Sequence, residues 1–235
     1  MTKPKISIIL PVYNEEDRVI NINEIYNFLE KFKYSGQVIL VNDGSSDQTL
    51  NTLKKLQKKF NFEIVSYGNN KGKGYALRLG VKKARGESIL LTDIDLSVPI
   101  NHLNFFMEKK ASADILIGSR RHPESKILSR QSFWRETLGK WFTSLAKFWL
   151  GLPINDFTCG FKLFKGKIAK KLFAKARVNR WAYDAEILFL AKQMGAKIKE
   201  LPVVWSNDRQ SKVRFPGDLL GSLVDLIKIR FISRL

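Results

Sequence analysis

Two carboxylates one residue apart, Asp93 and Asp95, follow the short apolar run that ends at Thr92. In an extended segment residues i and i+2 share a face. Two anions on one face repel unless a cation lies between them, and carboxylates together with substrate phosphates are the usual ligands of Mg²⁺. The pair points to a metal–phosphate site at a strand end. Taken alone, the same spacing also fits a turn cap or ordinary surface charge.

Other residues could share that chemistry. Polar clusters occur at Tyr13–Glu16 and Asn42–Asp47, and a loop GNNKGKGYA carries glycines 68, 72 and 74. Its spacing matches neither a dinucleotide fingerprint nor a Walker loop, so it reads as a flexible basic loop able to approach a phosphate. Ser119-Arg120-Arg121 follows a further apolar run, where the planar arginine fork suits phosphate. Asp156 could face the same site. Arg209, Lys212 and Arg214 lie in a polar stretch that could close over phosphates. Asp184 and Glu186 open a helical pattern, where a carboxylate either favours the first turn or supports catalysis. The single cysteine, Cys159, has neither a second cysteine nor a nearby histidine, so it reads as a small buried hydrophobe.

The elements needed to position these groups follow from periodicity. Lys5 to Val12 is a nearly continuous apolar strand. A helix beginning at Asn14 or Asp17 follows, then a strand over Gln37–Asn42. Asp47 is placed to cap a helix over Gln48–Phe60. Strand Phe62–Tyr67, helix Tyr75–Ala84 and strand Ile89–Thr92 complete the first run. Helix Asn101–Ala111 and strand Ala113–Gly118 come next. Phe157, Cys159, Phe161 and Leu163 alternate as in a half-buried strand, a basic helix covers Lys165–Ala176, and a strand covers Lys197–Trp205 with Pro202 marking an edge. Strands alternating with helices predict an α/β fold, a mainly parallel sheet flanked by helices. In such sheets ligands bind at the carboxyl ends of the strands. The three acidic and polar clusters all fall at those ends.

Ser129 to Leu150 and the stretch from Phe215 onward differ in kind. The first holds three of the five tryptophans, with Arg130, Arg135, Lys140 and Lys147 among them. The second carries an apolar stripe with Lys228, Arg230 and Arg234 beside it. Each could be a packed helix, or an interfacial helix with aromatic anchors and snorkelling cations.

Forty-one Lys and Arg residues against 22 Asp and Glu give a formal charge of +19. That excess predicts an anionic partner: nucleic acid, an anionic membrane or phosphorylated molecules. No nucleic-acid reader motif is present and the carboxylate clusters would oppose phosphate backbones, so no specific nucleic acid is expected. One cysteine excludes an intrachain disulfide. No secretory signal is expected, and no apolar run is long enough for a conventional span.

The motifs in combination resemble the inverting family 2 glycosyltransferases of the GT-A fold. PVYNEE at 11–16, VNDGSSDQT at 41–49, NKGKGYA at 70–76, TDIDLS at 92–97 and IGSR at 117–120 carry the resemblance. DFTCGFKLF at 156–164, WAYDAEILFLAKQMG at 181–195 and LPVVW with SKV at 201–213 narrow it to the dolichyl-phosphate β-glucosyltransferase branch of the polyprenyl-phosphate sugar transferases.

The resemblance implies a catalytic domain over 1–215, with a nucleotide-binding half to about 120, an acceptor-binding half over 121–215, and an amphipathic extension at 216–235. Pro11, Tyr13, Glu15, Asp43, Lys73 and Asp93 are expected to bind the nucleotide-sugar, with Asp43 holding the base. Asp95, with Asp93, would hold Mg²⁺ or Mn²⁺. Arg120, Arg130, Asp156 and Lys212 are expected at the acceptor phosphate. The catalytic set implied is Asp93, Asp95, Arg120, Arg130 and Lys212. The reaction implied is transfer of glucose from UDP-glucose to a polyprenyl phosphate, with GDP-mannose the rival donor. Such a protein would sit peripherally on the cytoplasmic side of a membrane. The chain departs from the family at Ile94, where Ala is frequent, and at Thr158, where Gln is frequent.

Overall fold

The computed structural model describes residues 3–207 and 217–232, apart from the side chains of Arg135, Asp218 and Leu219. A seven-stranded sheet forms the centre. Its strands are β1 (Ile6–Val12), β2 (Gly36–Asp43), β3 (Glu63–Tyr67), β4 (Ser88–Leu91), β5 (Ile115–Ser119), β7 (Lys162–Lys165) and β8 (Ile198–Pro202). The order is β3-β2-β1-β4-β7-β5-β8, and only β7 runs antiparallel to its neighbours. A separate parallel ribbon joins β6 (Lys126–Ser129) to β9 (Val204–Ser206).

Alternation along β1 explains the layering. Ile6, Ile8, Leu10 and Val12 face one side, where they meet α1 (Ile22–Lys31), α2 (Thr49–Gln57) and α4 (His102–Lys109). Ile9 faces the other, where it meets α3 (Lys73–Lys83), α6 (Gly166–Lys175) and α7 (Tyr183–Gln193). α5 (Phe133–Leu150) and α8 (Gly217–Ile232) complete that second face. The expected sheet with helices on both faces is thus present, and its two cores are contiguous with the alternate sides of each buried strand. Gly80 allows the closest of these approaches, since a Cβ there would lie 2.4 Å from the Ile9 side chain.

Several local expectations need correction. The helix after β1 begins at Ile22, behind a short 3₁₀ turn, and not at Asn14 or Asp17. Asn14 adopts a left-handed φ of 53° and its side chain is committed to the neighbouring loop. The expected strand over Phe157–Leu163 is mostly irregular, and only β7 is extended. Phe157, Cys159 and Phe161 are nevertheless fully buried, so a tightly packed loop imitates strand alternation. The strand expected over Lys197–Trp205 divides after Pro202, with β8 on the sheet edge and β9 in the ribbon. The four-residue β6 had no periodic signal long enough to read.

The boundary expected near residue 120 does not divide the sheet. β7, from the second half of the chain, lies between β4 and β5 of the first. α5 and α8 pack together, with Trp149 and Phe231 rings 6.4 Å apart and the Arg230 guanidinium donating to the Trp149 carbonyl at 3.0 Å. Their outer faces stay apolar and uncovered: Phe133, Trp134 and Phe148 are 75%, 74% and 84% exposed, and Leu220, Ile227 and Phe231 are exposed beside them.

Candidate active site

A cleft of about 640 Å³ opens at the carboxyl ends of β1, β2, β4 and β5. The loops after the first two strands are stitched together. Asn14 N–H donates to Ser45 Oγ at 3.0 Å, Ser46 N–H to Asn14 Oδ1 at 2.8 Å, and Glu15 N–H to Thr49 Oγ1 at 2.7 Å. The N-cap of α2 is Gln48 and not the expected Asp47, whose Oδ1 accepts the Thr49 N–H at 2.9 Å from one residue earlier. These bonds fix Pro11, Tyr13 and Glu15 as one wall of the cleft, and Glu15 pairs with Arg18.

Asp43 ends β2 and is buried. Its carboxylate accepts from Tyr67 Oη at 2.9 Å, Asn70 Nδ2 at 2.9 Å, Lys71 N–H at 2.7 Å and Gly72 N–H at 2.9 Å. Four donors fill the four lone-pair sites of a carboxylate. Asp43 therefore pins the 69–72 loop, and reading a base with it requires exchange of one of those donors. The pinned loop delivers Lys73 to the opening turn of α3.

Asp93 and Asp95 stand just beyond β4, in a turn, and both line the cleft. Ile94 between them is buried in the core, which explains how the larger residue is accommodated. Lys73 Nζ sits 2.6 Å from Asp93 Oδ1. Burial works against the Lys73 charge, but Asp93 and then Asp184 outweigh it and hold its pKa above the ordinary value. Asp95 is pushed up, first by burial and then by the Asp93 charge, although Ser97 N–H donates to its Oδ1 at 2.9 Å. A divalent cation would relieve that raised carboxylate. Among the described residues no cluster of three or more His, Cys, Asp and Glu side chains is arranged to hold a metal. Two carboxylates that leave the remaining positions to water and substrate phosphates suit Mg²⁺ or Mn²⁺, so the donor set fits.

Gly160 backs the acidic pair. A Cβ on it would lie 2.2 Å from Asp93 Oδ2 and 2.9 Å from its Cγ. On the expected role of Asp93 in nucleotide-sugar binding, Gly160→Ala should displace it and weaken that binding at least about tenfold, on the order of one lost charge-assisted contact. Titration of a nucleotide-sugar against both proteins measures it, and equal affinities would refute the assigned contact.

The opposite wall is cationic. Arg120 follows β5 and is clamped by Asp156. Its Nε lies 2.7 Å from Oδ2, its Nη2 2.7 Å from Oδ1, and its own N–H donates to Oδ2 at 2.9 Å. Nη2 also donates to Thr158 Oγ1 at 2.7 Å, so the threonine in place of glutamine still makes a polar contact here. The guanidinium carbon lies 5.4 Å from the centre of the Trp205 ring. Burial alone would raise Asp156, but Arg120 outweighs it and brings the carboxyl down to about 2. Asp156 itself is 1% exposed and stands behind Arg120, outside the cleft wall.

Not every expected residue is in the cleft. Arg130 is exposed and lies beside the wall, next to Gln131, which lines it. Lys212, with Arg209 and Arg214, lies outside the described residues. Neither histidine lines the cleft, and His102 Nε2 accepts the Val204 N–H at 3.1 Å. Cys159 is buried and its thiol is pushed up to about 11, chiefly by burial, in keeping with an inert hydrophobe.

Sequence reasoning passed over Arg180 and Trp181, which line the cleft from the turn before α7. The Lys73 ammonium stands 5.8 Å from the Trp181 ring centre. The lysine of the FKLF segment, Lys162, was also missed. It is fully buried, pairs with Asp184, and donates to the Cys159 carbonyl at 2.6 Å. Asp184 thus supports the site through Lys162 while also facing the cleft. Only contact geometry reveals this pairing, because 22 residues separate the partners.

Ile127 of β6, Leu138, Gly139 and Phe142 of α5, Trp205 of β9 and Ser222 of α8 also line the cleft, with Glu136 and Lys140 of α5. The cleft thus brings two carboxylates, several arginines and apolar residues of the outer helices together.

Residues 7–173 match the Glycosyl transferase family 2 model. The chain is 33% identical over 250 residues to a protein of Homo sapiens named dolichyl-phosphate beta-glucosyltransferase, covering 97% of this chain and 76% of that one. Mannosyl-3-phosphoglycerate synthase of Rubrobacter xylanophilus superposes with a TM-score of 0.70 at 18% identity, over 97% of this chain and 74% of that one. Glucosyl-3-phosphoglycerate synthase of Mycobacterium tuberculosis, solved with Mn²⁺, UDP-glucose and glycerol 3-phosphate, superposes with a TM-score of 0.65 at 15% identity, over 95% and 77% of the two chains. The fold is GT-A, and with a family match spanning most of its length the chain belongs to the family 2 glycosyltransferases.

Proposed function

We propose that this chain transfers glucose from UDP-glucose to dolichyl or another polyprenyl phosphate, with inversion at the anomeric carbon. The observation that carries the reading is one cleft lined by an acidic pair, several arginines and apolar residues of α5, β6 and β9. A lipid phosphate and a nucleoside diphosphate sugar need those three environments together. The human relative's name supports the choice of acceptor and sugar.

In this reading a phosphate oxygen of the acceptor attacks C1 of the sugar. The C1–O bond to the diphosphate breaks and UDP leaves with the electron pair. A phosphate monoester has a second pKa near about 6, so the nucleophile is already largely dianionic and needs no general base. Two anionic substrates must be held together, and that is the task of the cationic wall. Arg120 is oriented by Asp156 and keeps Nη1 for the acceptor phosphate. Arg121 and Arg180 add charge along the same wall, and Arg130 and Lys212 are assigned to guide the headgroup. Lys73 compensates Asp93 and orders the loop beside the donor. Asp95, with Asp93, would hold Mg²⁺ or Mn²⁺, which when bound supplies Lewis-acid stabilisation of the diphosphate leaving group. Preorganised charges of this kind commonly supply the largest part of catalysis.

A panel of UDP- and GDP-sugars against polyprenyl phosphates, with product mass and linkage determined, tests the reading. A β-linked glucosyl lipid phosphate is expected. An α-linked product, or exclusive use of GDP-mannose, would overturn it.

Attachment to the cytoplasmic face of an anionic membrane forms part of the proposal. Among the described residues no helix is long and apolar enough to cross a membrane. The uncovered aromatics of α5 and the apolar side of α8, with the +19 charge, support binding at the interface. Replacing Phe133, Trp134 and Phe148 by Ser should lower recovery on anionic vesicles more than tenfold, since each buried aromatic contributes about 1.5–3 kcal/mol. Flotation at fixed salt measures this, and unchanged recovery would reject these anchors.

A further inference from the structure

We propose that Gly139 sets which acceptor chains the cleft admits, an inference that rests on the lipid-phosphate transfer proposed above. Gly139 lies inside α5, where glycine destabilises a helix relative to alanine. Two other glycines have reasons within the fold. Gly151 ends α5 with a φ of 62°, and Gly80 lets Ile9 pack against α3. Gly139 has neither reason. Its φ is not left-handed, and among the described residues, which do not include the Arg135 side chain one turn earlier, no atom lies within 4 Å of a Cβ placed on it. The fold has room for a side chain there and does not carry one.

The room belongs to the cleft. Gly139 lines it with Glu136, Leu138, Lys140 and Phe142 of the same helix and Ser222 of α8. On the same helix, Trp134 and Trp141 stand exposed at 74% and 51%. Gly139 therefore lies on a helix that lines the cleft with some of its residues and presents exposed apolar faces with others. A hydrocarbon tail whose phosphate sits at Arg120 must leave the cleft towards those faces. A bare backbone at 139 leaves that exit open, and a branched side chain there would project into it without disturbing the core. The chain to be passed is an extended, methyl-branched hydrocarbon, and short acceptors do not reach Gly139.

Gly139→Ala, Gly139→Leu and the control Gly221→Leu test this. Among the described residues Gly221 also has no atom within 4 Å of its Cβ position, and it does not line the cleft. Transfer is measured with a long polyprenyl phosphate and with citronellyl phosphate, and UDP-glucose binding by titration. Gly139→Leu should lower kcat/KM for the long acceptor about tenfold or more. It should leave citronellyl phosphate and UDP-glucose within about twofold. Gly139→Ala should melt higher than the parent and fall between the two in acceptor preference. Gly221→Leu should leave the preference unchanged. An unaffected long acceptor, or an equal fall for both acceptors, would overturn the role of Gly139. A parent protein that binds UDP-glucose yet glycosylates neither lipid would instead overturn the proposed function, and this inference with it.

Discussion

Asp95→Asn is expected to abolish most transfer while leaving the fold intact. Asp95 is half-buried, held by Ser97 N–H and facing the cleft beside Asp93. The substitution keeps the shape and removes the charge that a divalent cation needs. A loss of about a thousandfold in kcat is expected, the order found when one preorganised electrostatic contact to a developing charge is removed. The stability effect should have the opposite sign. Asp95 has a raised pKa in the folded protein, because burial and the Asp93 charge both disfavour its ionised form. The cost of that ionisation is absent below the ordinary carboxylate pKa and fully present at neutral pH. In buffer without divalent ions at neutral pH, the neutral Asn variant should melt higher than the parent. Adding Mn²⁺ should raise the parent's melting temperature and move the variant's much less. A variant that keeps full activity, or gains the same metal-induced shift, would remove Asp95 from the metal site.

The second large effect is expected at Asp156. Replacing it with Asn leaves Arg120 without its counter-charge in a largely enclosed position. Breaking a buried pair from one side typically destabilises by about 3–5 kcal/mol, and the 1% exposure of Asp156 puts it in that class. The pH dependence has a definite direction. The folded pKa of about 2 lies below the ordinary value of 3.8. The stabilisation is therefore fully present above 3.8 and is lost as pH falls towards 2. Urea titrations of parent and variant should differ most at neutral pH and converge below about pH 4. Activity should fall as well, through a higher KM for the lipid phosphate, because Arg120 loses its orientation. A variant as stable as the parent at neutral pH would show that the clamp contributes nothing.

Much of this site was legible from sequence because its residues cluster at strand ends. The acidic pair, the PVYNEE segment and the arginines after β5 each follow an apolar run whose length and period give the strand directly. The loop 156–161 was misread because period-two burial arises in any chain segment whose alternate residues face a core. Asp156 was assigned to the acceptor, and only its contacts place it behind Arg120. The expected role of Asp43 carried no hint of four simultaneous donors, three of them from a loop about 28 residues further on. Arg180, Trp181 and Lys162 had no local pattern of their own. Their significance depends on which strands are neighbours, and the insertion of β7 between β4 and β5 is not encoded in any short window.

That insertion has a consequence for how the protein is made. On the ribosome, residues 1–120 emerge first with every parallel strand of the nucleotide-binding half, yet β4 then presents a bare edge where β7 belongs. β5 cannot dock until the same late segment arrives, since its two sheet neighbours, β7 and β8, both come later in the chain. Residues 1–120 alone are therefore expected not to fold as a unit. A nascent chain halted near residue 120 carries open strand edges prone to intermolecular pairing, and protease resistance of the early strands should appear only after residue 165 has cleared the exit tunnel.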